Sequence, residues 1–377
     1  MFTRRVFLLT FVVLAAWMLS LTGPATGVTA AKPPTRTPTP TPGALTPIQI
    51  YGAWHCGNDA CLWATVRNIS EFDQMNHWLI DRGDGSGLPS VNIVVLSFVN
   101  PLKLLNRTND AGTINGVPRG MTPEIVNYFK SRGIRVMLSI GGITFVNDWN
   151  TALATNPTQF GLNAAAAAQQ LGVGIEIDYE ENNSPNLTGL QAFIDAYRSV
   201  LPYDATGNNH AARLTIDLGA GNRWLVPLNQ KASADWLGPS NPVLDYANAM
   251  VAARPDSDPN TVTGRWNEHI TGYLQTVPLA PAKLTGSLWL QHRTTLPECV
   301  DFENSLQKST GPYVQTISPA TGSGGTTTGM LGFMFWAAEV EGTRTITTQP
   351  PNTCENGMGG AASFYDIPIP MPPLRQQ

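Results

Sequence analysis

The run Gly172-Val173-Gly174-Ile175-Glu176-Ile177-Asp178-Tyr179-Glu180 alternates apolar and acidic side chains. A strand sends successive side chains to opposite faces, so Val173, Ile175, Ile177 and Tyr179 share one face. Gly174, Glu176, Asp178 and Glu180 share the other. Same-face neighbours stand roughly 6.5–7 Å apart along a strand, close enough for carboxylates to interact. Three acids confined in a dry space cannot all ionise cheaply. One of them holds a proton near neutral pH, which is the state a general acid needs. Glu180, at the C-terminal end of the run, is the candidate acid. Asp178 is its charged or proton-sharing neighbour, and Glu176 is the third member. The competing arrangement is a half-exposed antiparallel strand with its acids in water.

The surrounding pattern separates the two. Short apolar runs predict strands at Ile48–Trp54, Val91–Val99, Ile134–Ile140, Val173–Glu180, Arg213–Leu218, Tyr246–Val251, Gly286–Gln291 and Leu331–Trp336. Helical patterns lie between them. Thr122-Pro123-Glu124 opens one helix with a capping hydroxyl, an early proline and an acid, and Gly133 closes it. Asn156-Pro157 opens the next, which runs through Ala164–Ala168 and stops at Gly172. Strand–helix alternation implies parallel strands with helices packed outside. Eight such strands predict an α/β fold, a closed (β/α)8 barrel, with its chemistry at the C-terminal strand ends. An open doubly wound sheet would want a glycine-rich phosphate loop after the first strand, and Gly52-Ala53-Trp54-His55-Cys56 is not one. In the barrel the acidic face lines the lumen.

The 377 residues carry 23 Lys+Arg and 27 Asp+Glu, a net charge of −4. Charged residues make up 13%, against about 25% in ordinary soluble domains. With no basic run beyond the first residues, nucleic acid is not an expected partner. Arg4-Arg5, the apolar stretch Val6–Leu21 and the small residues Val28-Thr29-Ala30 read as a secretory signal peptide over residues 1–31. An uncleaved membrane anchor is the alternative, although the stretch falls short of the roughly 20 residues that span a bilayer. The Thr/Pro alternation of residues 32–47 predicts an extended spacer, because proline fixes φ and lacks an N–H. Residues 48–377 then form a single domain. The expected location is secreted, with a cell-surface tether through the N-terminal segment as a variant.

The domain resembles the family 18 glycoside hydrolases, the chitinase superfamily. That family's fourth strand carries Asp-Gly-x-Asp-x-Asp-x-Glu, matched here from Val173 to Glu180 with Asp178 and Glu180 retained. Val173 and Glu176 stand where the family has Asp. Its third strand ends in Ser-x-Gly-Gly, matched by Ser139-Ile140-Gly141-Gly142. Leu96-Ser97-Phe98-Val99-Asn100 is similar to its second strand, and Phe333-Met334-Phe335-Trp336 to its eighth. Asp245-Tyr246-Ala247-Asn248-Ala249-Met250 aligns with its sixth, where Ala252 replaces an expected tyrosine. The resemblance implies hydrolysis of β-1,4-linked N-acetylglucosamine polymers by substrate assistance, with Glu180 as acid/base and Asp178 and Glu176 beside it. It also implies a sugar-contacting set of Trp336, Met250, Ser139, Gly141, Gly142, Phe98 and Tyr179. An endo-β-N-acetylglucosaminidase, or a sugar-binding lectin on the same barrel, are the alternatives. The missing tyrosine favours the lectin; the retained Asp178 and Glu180 favour the hydrolase.

Other residues invite a role with less force. Trp54, Trp149, Trp224 and Trp289 lie on or near predicted strands and could be sugar platforms or core. Asp217 and Gln291 could face the lumen; satisfied structural polar groups are the favoured reading. Four cysteines in an exported chain predict disulfides, with Cys56–Cys61 and Cys299–Cys354 favoured by neighbourhood. Asn68, Asn106 and Asn186 lie in Asn-x-Ser/Thr contexts. No metal-ligand spacing and no organic cofactor motif is present, so neither is expected.

Overall fold

The computed structural model describes residues 50–56, 61–81, 87–89, 91–250, 259–274, 276–289, 327–336 and 338. The leader and spacer expected before residue 48, Cys299, Cys354, Gln291, Ala252 and the side chain of Trp289 lie outside these residues.

The strands and helices follow in chain order. They are β1 (Ile50–His55), α1 (Ile69–Ile80), β2 (Ile93–Val99), α2 (Pro101–Leu105) and a hairpin of β3 (Thr113–Ile114) with β4 (Val117–Pro118). Next come α3 (Pro123–Lys130), β5 (Arg135–Gly141), α4 (Val146–Thr155), α5 (Pro157–Leu171) and β6 (Gly174–Asp178). The chain continues through α6 (Leu187–Val200), β7 (Leu214–Leu218), α7 (Val226–Lys231), β8 (Ala247–Ala249), α8 (Pro259–Thr271), β9 (Leu284–Trp289) and β10 (Gly332–Trp336). Strands β1, β2, β5, β6, β7, β8, β9 and β10 close on themselves through parallel pairings, with β10 returning to β1. This is the eight-stranded (β/α)8 barrel expected from the alternation. Each of the eight strands overlaps a segment read from the sequence, with ends displaced by a residue or two. The hairpin and α2 have no counterpart in that reading.

Local chemistry explains why these helices start and stop where they do. Thr122 caps α3 by accepting from the Ile125 amide at 3.3 Å, with Pro123 in the first turn. Asn156 does the same for α5 through the Gln159 amide, again followed by a proline. The sequon residues Asn68 and Asn186 are likewise N-caps, of α1 and α6. Such caps satisfy amides that have no partner within the helix.

Two apolar clusters result from strand alternation. The larger lies between barrel and helices and includes Val94, Leu96, Leu138, Ile140, Ile175, Ile177, Phe160 and Phe193. The smaller fills the lumen: Ile50, Trp54, Ile93, Val95, Met137, Tyr246, Leu331 and Met334, with Trp336 packed on top. Of this cluster, Trp54 and Trp336 stand at the C-terminal ends of β1 and β10. Among the described residues no helix is long and apolar enough to cross a membrane.

Candidate active site

The site is built on β6. Helix α5 ends at Gly172, whose φ of 64° closes the helix in the left-handed region that glycine tolerates. The Val173 amide still donates to the Ala168 carbonyl, so the strand proper begins at Gly174. From there Ile175 and Ile177 enter the outer core, while Glu176 and Asp178 enter the lumen.

Glu176 is fully buried and well supplied with donors. Its Oε1 accepts from the Trp54 indole at 2.7 Å and its Oε2 from the Asn248 amide at 2.6 Å. Asn248 is oriented by the Thr285 hydroxyl, which donates to its oxygen at 2.6 Å. Burial pushes Glu176 up to about 7, and those donors hold it from going further. Asp178 sits one step higher on the same face and is 5% exposed. Burial, then the charges of Glu180 and Glu176, raise its pKa well above the ordinary carboxyl range. Glu180 lies beyond the end of the strand, half-buried at the barrel mouth. Burial pushes it up to about 7, partly offset by the Ile143 amide. A group with that pKa carries a proton it can deliver near neutrality.

The predicted strand ran on to Glu180, but the chain leaves the sheet after Asp178. The loop that follows is tied down instead by Asn150 on α4. Tyr179 donates its hydroxyl to Asn150 Oδ1, and Asn150 Nδ2 donates to Glu181 Oε2 at 3.1 Å. Both neighbours of Glu180 are therefore held by one side chain. The Tyr179 hydroxyl also accepts from the Asn186 amide, and Glu181 Oε1 accepts from the amides of Asn183 and Ser184.

Tyr179 thus corrects one expectation. It is fully buried on the outer side, against Trp149, and does not face the lumen. The period-2 alternation already placed it there, and the carried-over sugar-contacting role conflicts with it. Met250 is half-buried just past β8 and packs with the outer core, not with Trp54 and Trp336. For Trp149 the structure decides between the two readings left open. It is a core residue of α4, and its indole N–H is shared between the carbonyls of Ile140 and Asp178.

Gly141 and Gly142 act through the backbone. A Cβ at Gly141 (φ 122°) would lie 1.9 Å from the Asp178 carbonyl oxygen and 2.2 Å from the Trp149 indole nitrogen. The Gly142 amide donates to that same carbonyl at 3.0 Å, and a Cβ there would meet the Phe98 ring at 3.0 Å. The two glycines let the end of β5 close against Asp178. Ser139 faces the lumen beside Glu176 in the strand register and is fully buried.

Phe98 and Trp336 form an aromatic pair at the mouth, half-buried, with ring centroids 5.7 Å apart and 22° between planes. Trp54 packs beside Trp336 at 6.4 Å. Phe98 occupies a register shift, since Ser97 pairs with Ser139 and Val99 with Ile140. Trp224 is half-buried after β7. A disulfide joins Cys56 and Cys61 just past β1.

Asp217 on β7 is the residue whose importance sequence reasoning understated. It is buried in the lumen, within hydrogen-bonding reach of Glu176 and Asn248. Its Oδ1 has no partner among the described residues, so the expected satisfaction is only partial. Its place on the lumenal phase was the only available signal. Among the described residues no cluster of His, Cys, Asp and Glu is arranged to hold a metal ion. The arrangement can bind an apolar sugar face on aromatic rings and offer a proton from Glu180 to an oxygen above it.

No family model matches the chain, and no curated protein matches it. Among solved structures it is similar to a GH18 chitinase from Pseudoalteromonas aurantia, at 13% identity and a TM-score of 0.48, covering 77% of this chain and 94% of that one. It is similar to a chitinase from Rhizomucor miehei at 16% identity and 0.47, covering 84% and 99%. A chitinase from Aspergillus fumigatus is similar at 13% identity and 0.45, covering 79% and 95%.

Proposed function

We propose that the chain is an exported glycoside hydrolase that cleaves β-1,4-linked N-acetylglucosamine polymers, with chitin as the default substrate. The observation that carries this reading is Glu180. It is a half-buried acid at the barrel mouth, directly above the buried Asp178, with a pKa raised to about 7.

In the proposed reaction one sugar ring rests on the Phe98–Trp336 pair. Its acetamido oxygen attacks its own anomeric carbon. The glycosidic C–O bond breaks, its electron pair goes to the leaving oxygen, and Glu180 gives that oxygen a proton. Asp178 orients the acetamido group and stabilises the positive oxazolinium. Water then loses a proton to Glu180 and opens the ring at the anomeric carbon, with net retention. One strong acid suffices, because the nucleophile belongs to the substrate. Export rests on the leader of residues 1–31 and the spacer of residues 32–47, and N-terminal sequencing of the secreted chain tests it.

The deciding assay uses a chromogenic chito-oligosaccharide with wild type and Glu180→Gln. Release by the wild type, abolished in the variant while sugar binding persists, is the expected result. Equal release from both would remove Glu180 from the mechanism. Binding without release in the wild type would assign a sugar-binding role instead.

A further inference from the structure

The upper lumen holds more carboxyl groups than the reaction above uses. Glu176, Asp178 and Glu180 come from β6 and the loop after it, and Asp217 comes from β7. Asp217 is 2% exposed. The groups that face it are Glu176 and Asp178 from β6 and Asn248 from β8. Thr215 precedes it on the same face of its own strand. Arg135, Arg213 and Tyr246 lie toward the N-terminal ends of their strands, where Arg213 stands over the Tyr246 ring at 5.9 Å and Asp245 pairs with Arg213. No lysine or arginine forms an ion pair with Asp178, Glu180 or Asp217 among the described residues.

Buried carboxyls this close cannot all be charged, so the question is where the remaining protons sit. The hydrogen bonds answer it. Glu176 accepts from two N–H groups, the Trp54 indole and the Asn248 amide, neither of which can accept in return. Thr285 locks the Asn248 amide in that sense. Glu176 is therefore built to be an anion. Asp217 is less well supplied: its buried Oδ1 has no donor among the described residues, its one side-chain donor is the Asn248 amide that also serves Glu176, and a neighbouring carboxyl oxygen lies within reach. As an anion it would face a second anion with one oxygen unsolvated. As an acid it gives Glu176 a third donor.

We infer that Asp217 is a positioning residue: it stays protonated, donates to Glu176, and fixes Glu176 as the anion below Asp178. Resting on the hydrolase reading, this adds a fourth carboxyl to the site. An ionised Glu176 raises Asp178 through its charge, which favours a protonated Asp178 in the resting site. Asp217 makes that ionisation easier by supplying a neutral donor, where a charged neighbour would oppose it.

The test titrates the carboxyl carbons of the full chain by 13C NMR, in wild type, Asp217→Asn and Asp217→Ala, assigning signals by difference. It is paired with pH–rate profiles on the chromogenic chito-oligosaccharide. The Asn variant keeps a donor and should leave the Glu176 midpoint in place. The Ala variant removes the donor and should raise that midpoint by about 1 pH unit, moving the acidic limb of the rate profile the same way. A fall in the midpoint in both variants would mean that Asp217 is an anion, and no change in the Ala variant would mean that the two groups are independent. Either result overturns the inference. If the Ala variant does not fold, wild type alone decides, because the Asp217 signal must still be protonated where Glu176 has already ionised. If wild type releases no product, the hydrolase reading fails while the titration still judges Asp217.

Discussion

The Trp54 indole on β1 donates to Glu176 Oε1 on β6 at 2.7 Å, joining through the lumen two strands that lie three places apart around the barrel. The two residues are far apart in sequence, and their strands do not pair. This bond ties the aromatic wall at the mouth to the carboxyl column, because Trp54 also packs against Trp336.

Trp54→Phe keeps most of the ring and removes the donor. Hydrogen bonds to charged groups contribute about 1.5–3 kcal/mol. Losing one raises Glu176 above its present value near 7. Turnover should fall on the order of 10-fold, with the acidic limb of the pH profile displaced upward. An unmoved limb would separate Trp54 from the charge state of Glu176.

Stability should fall as pH rises from about 4.5 to about 7, between the unfolded and folded pKa values of Glu176 and Glu180. Glu176 and Glu180 have folded pKa values raised to about 7, and burial raises Asp178 and Asp217 well above the ordinary carboxyl range. An acid raised in the folded state binds more protons there than in the unfolded chain. Its stabilising contribution is complete below the unfolded pKa and is lost as pH climbs through the folded one. His210 and His269 are lowered to about 4 by burial, and they act oppositely, costing stability below about pH 6.5. In the overlap four raised carboxyls oppose two histidines, so the net slope stays downward. Thermal unfolding followed by circular dichroism should show a falling Tm over this window, and Glu176→Gln should flatten it. A rising Tm would contradict the carboxyl pKa directions.

Gly141→Ala places a methyl where the Asp178 carbonyl and the Trp149 indole already are. The φ of 122° adds strain for any residue with a Cβ. We expect destabilisation of about 2 kcal/mol or more and loss of activity, because β5 must separate from β6 at Asp178. An urea melt with an unchanged midpoint would show that this close approach is dispensable.

Asn150→Ala releases both Tyr179 and Glu181, the two residues flanking Glu180. Misplacing a reacting group by about 1 Å can cost on the order of 100-fold. We expect kcat to fall at least about 10-fold while KM changes little, since the aromatic pair is untouched. Loss confined to KM would place Asn150 in substrate binding instead.

Much of the architecture was legible because parallel strands buried on both faces leave short apolar runs punctuated by caps and glycines. Glu176 and Asp178 were legible for the related reason that strict alternation sorts one strand into an apolar and an acidic side. The aromatic and glycine positions came from resemblance, and it carried Tyr179 and Met250 into a set where their packing does not place them. Trp149 stayed open between platform and core because no periodicity shows a donor reaching two carbonyls on neighbouring strand ends.

By itself the amino-acid sequence determined which side chains share a face, because that depends only on a backbone period of two. Closure of the barrel decided the rest. It set Trp54 across from Glu176, brought Asp217 beside a carboxyl it does not neighbour in sequence, and hung Glu180 between two bonds to a single asparagine. Those relations depend on the stagger between strands and on a loop's path after the sheet ends. Both are products of the whole packing and of no local pattern.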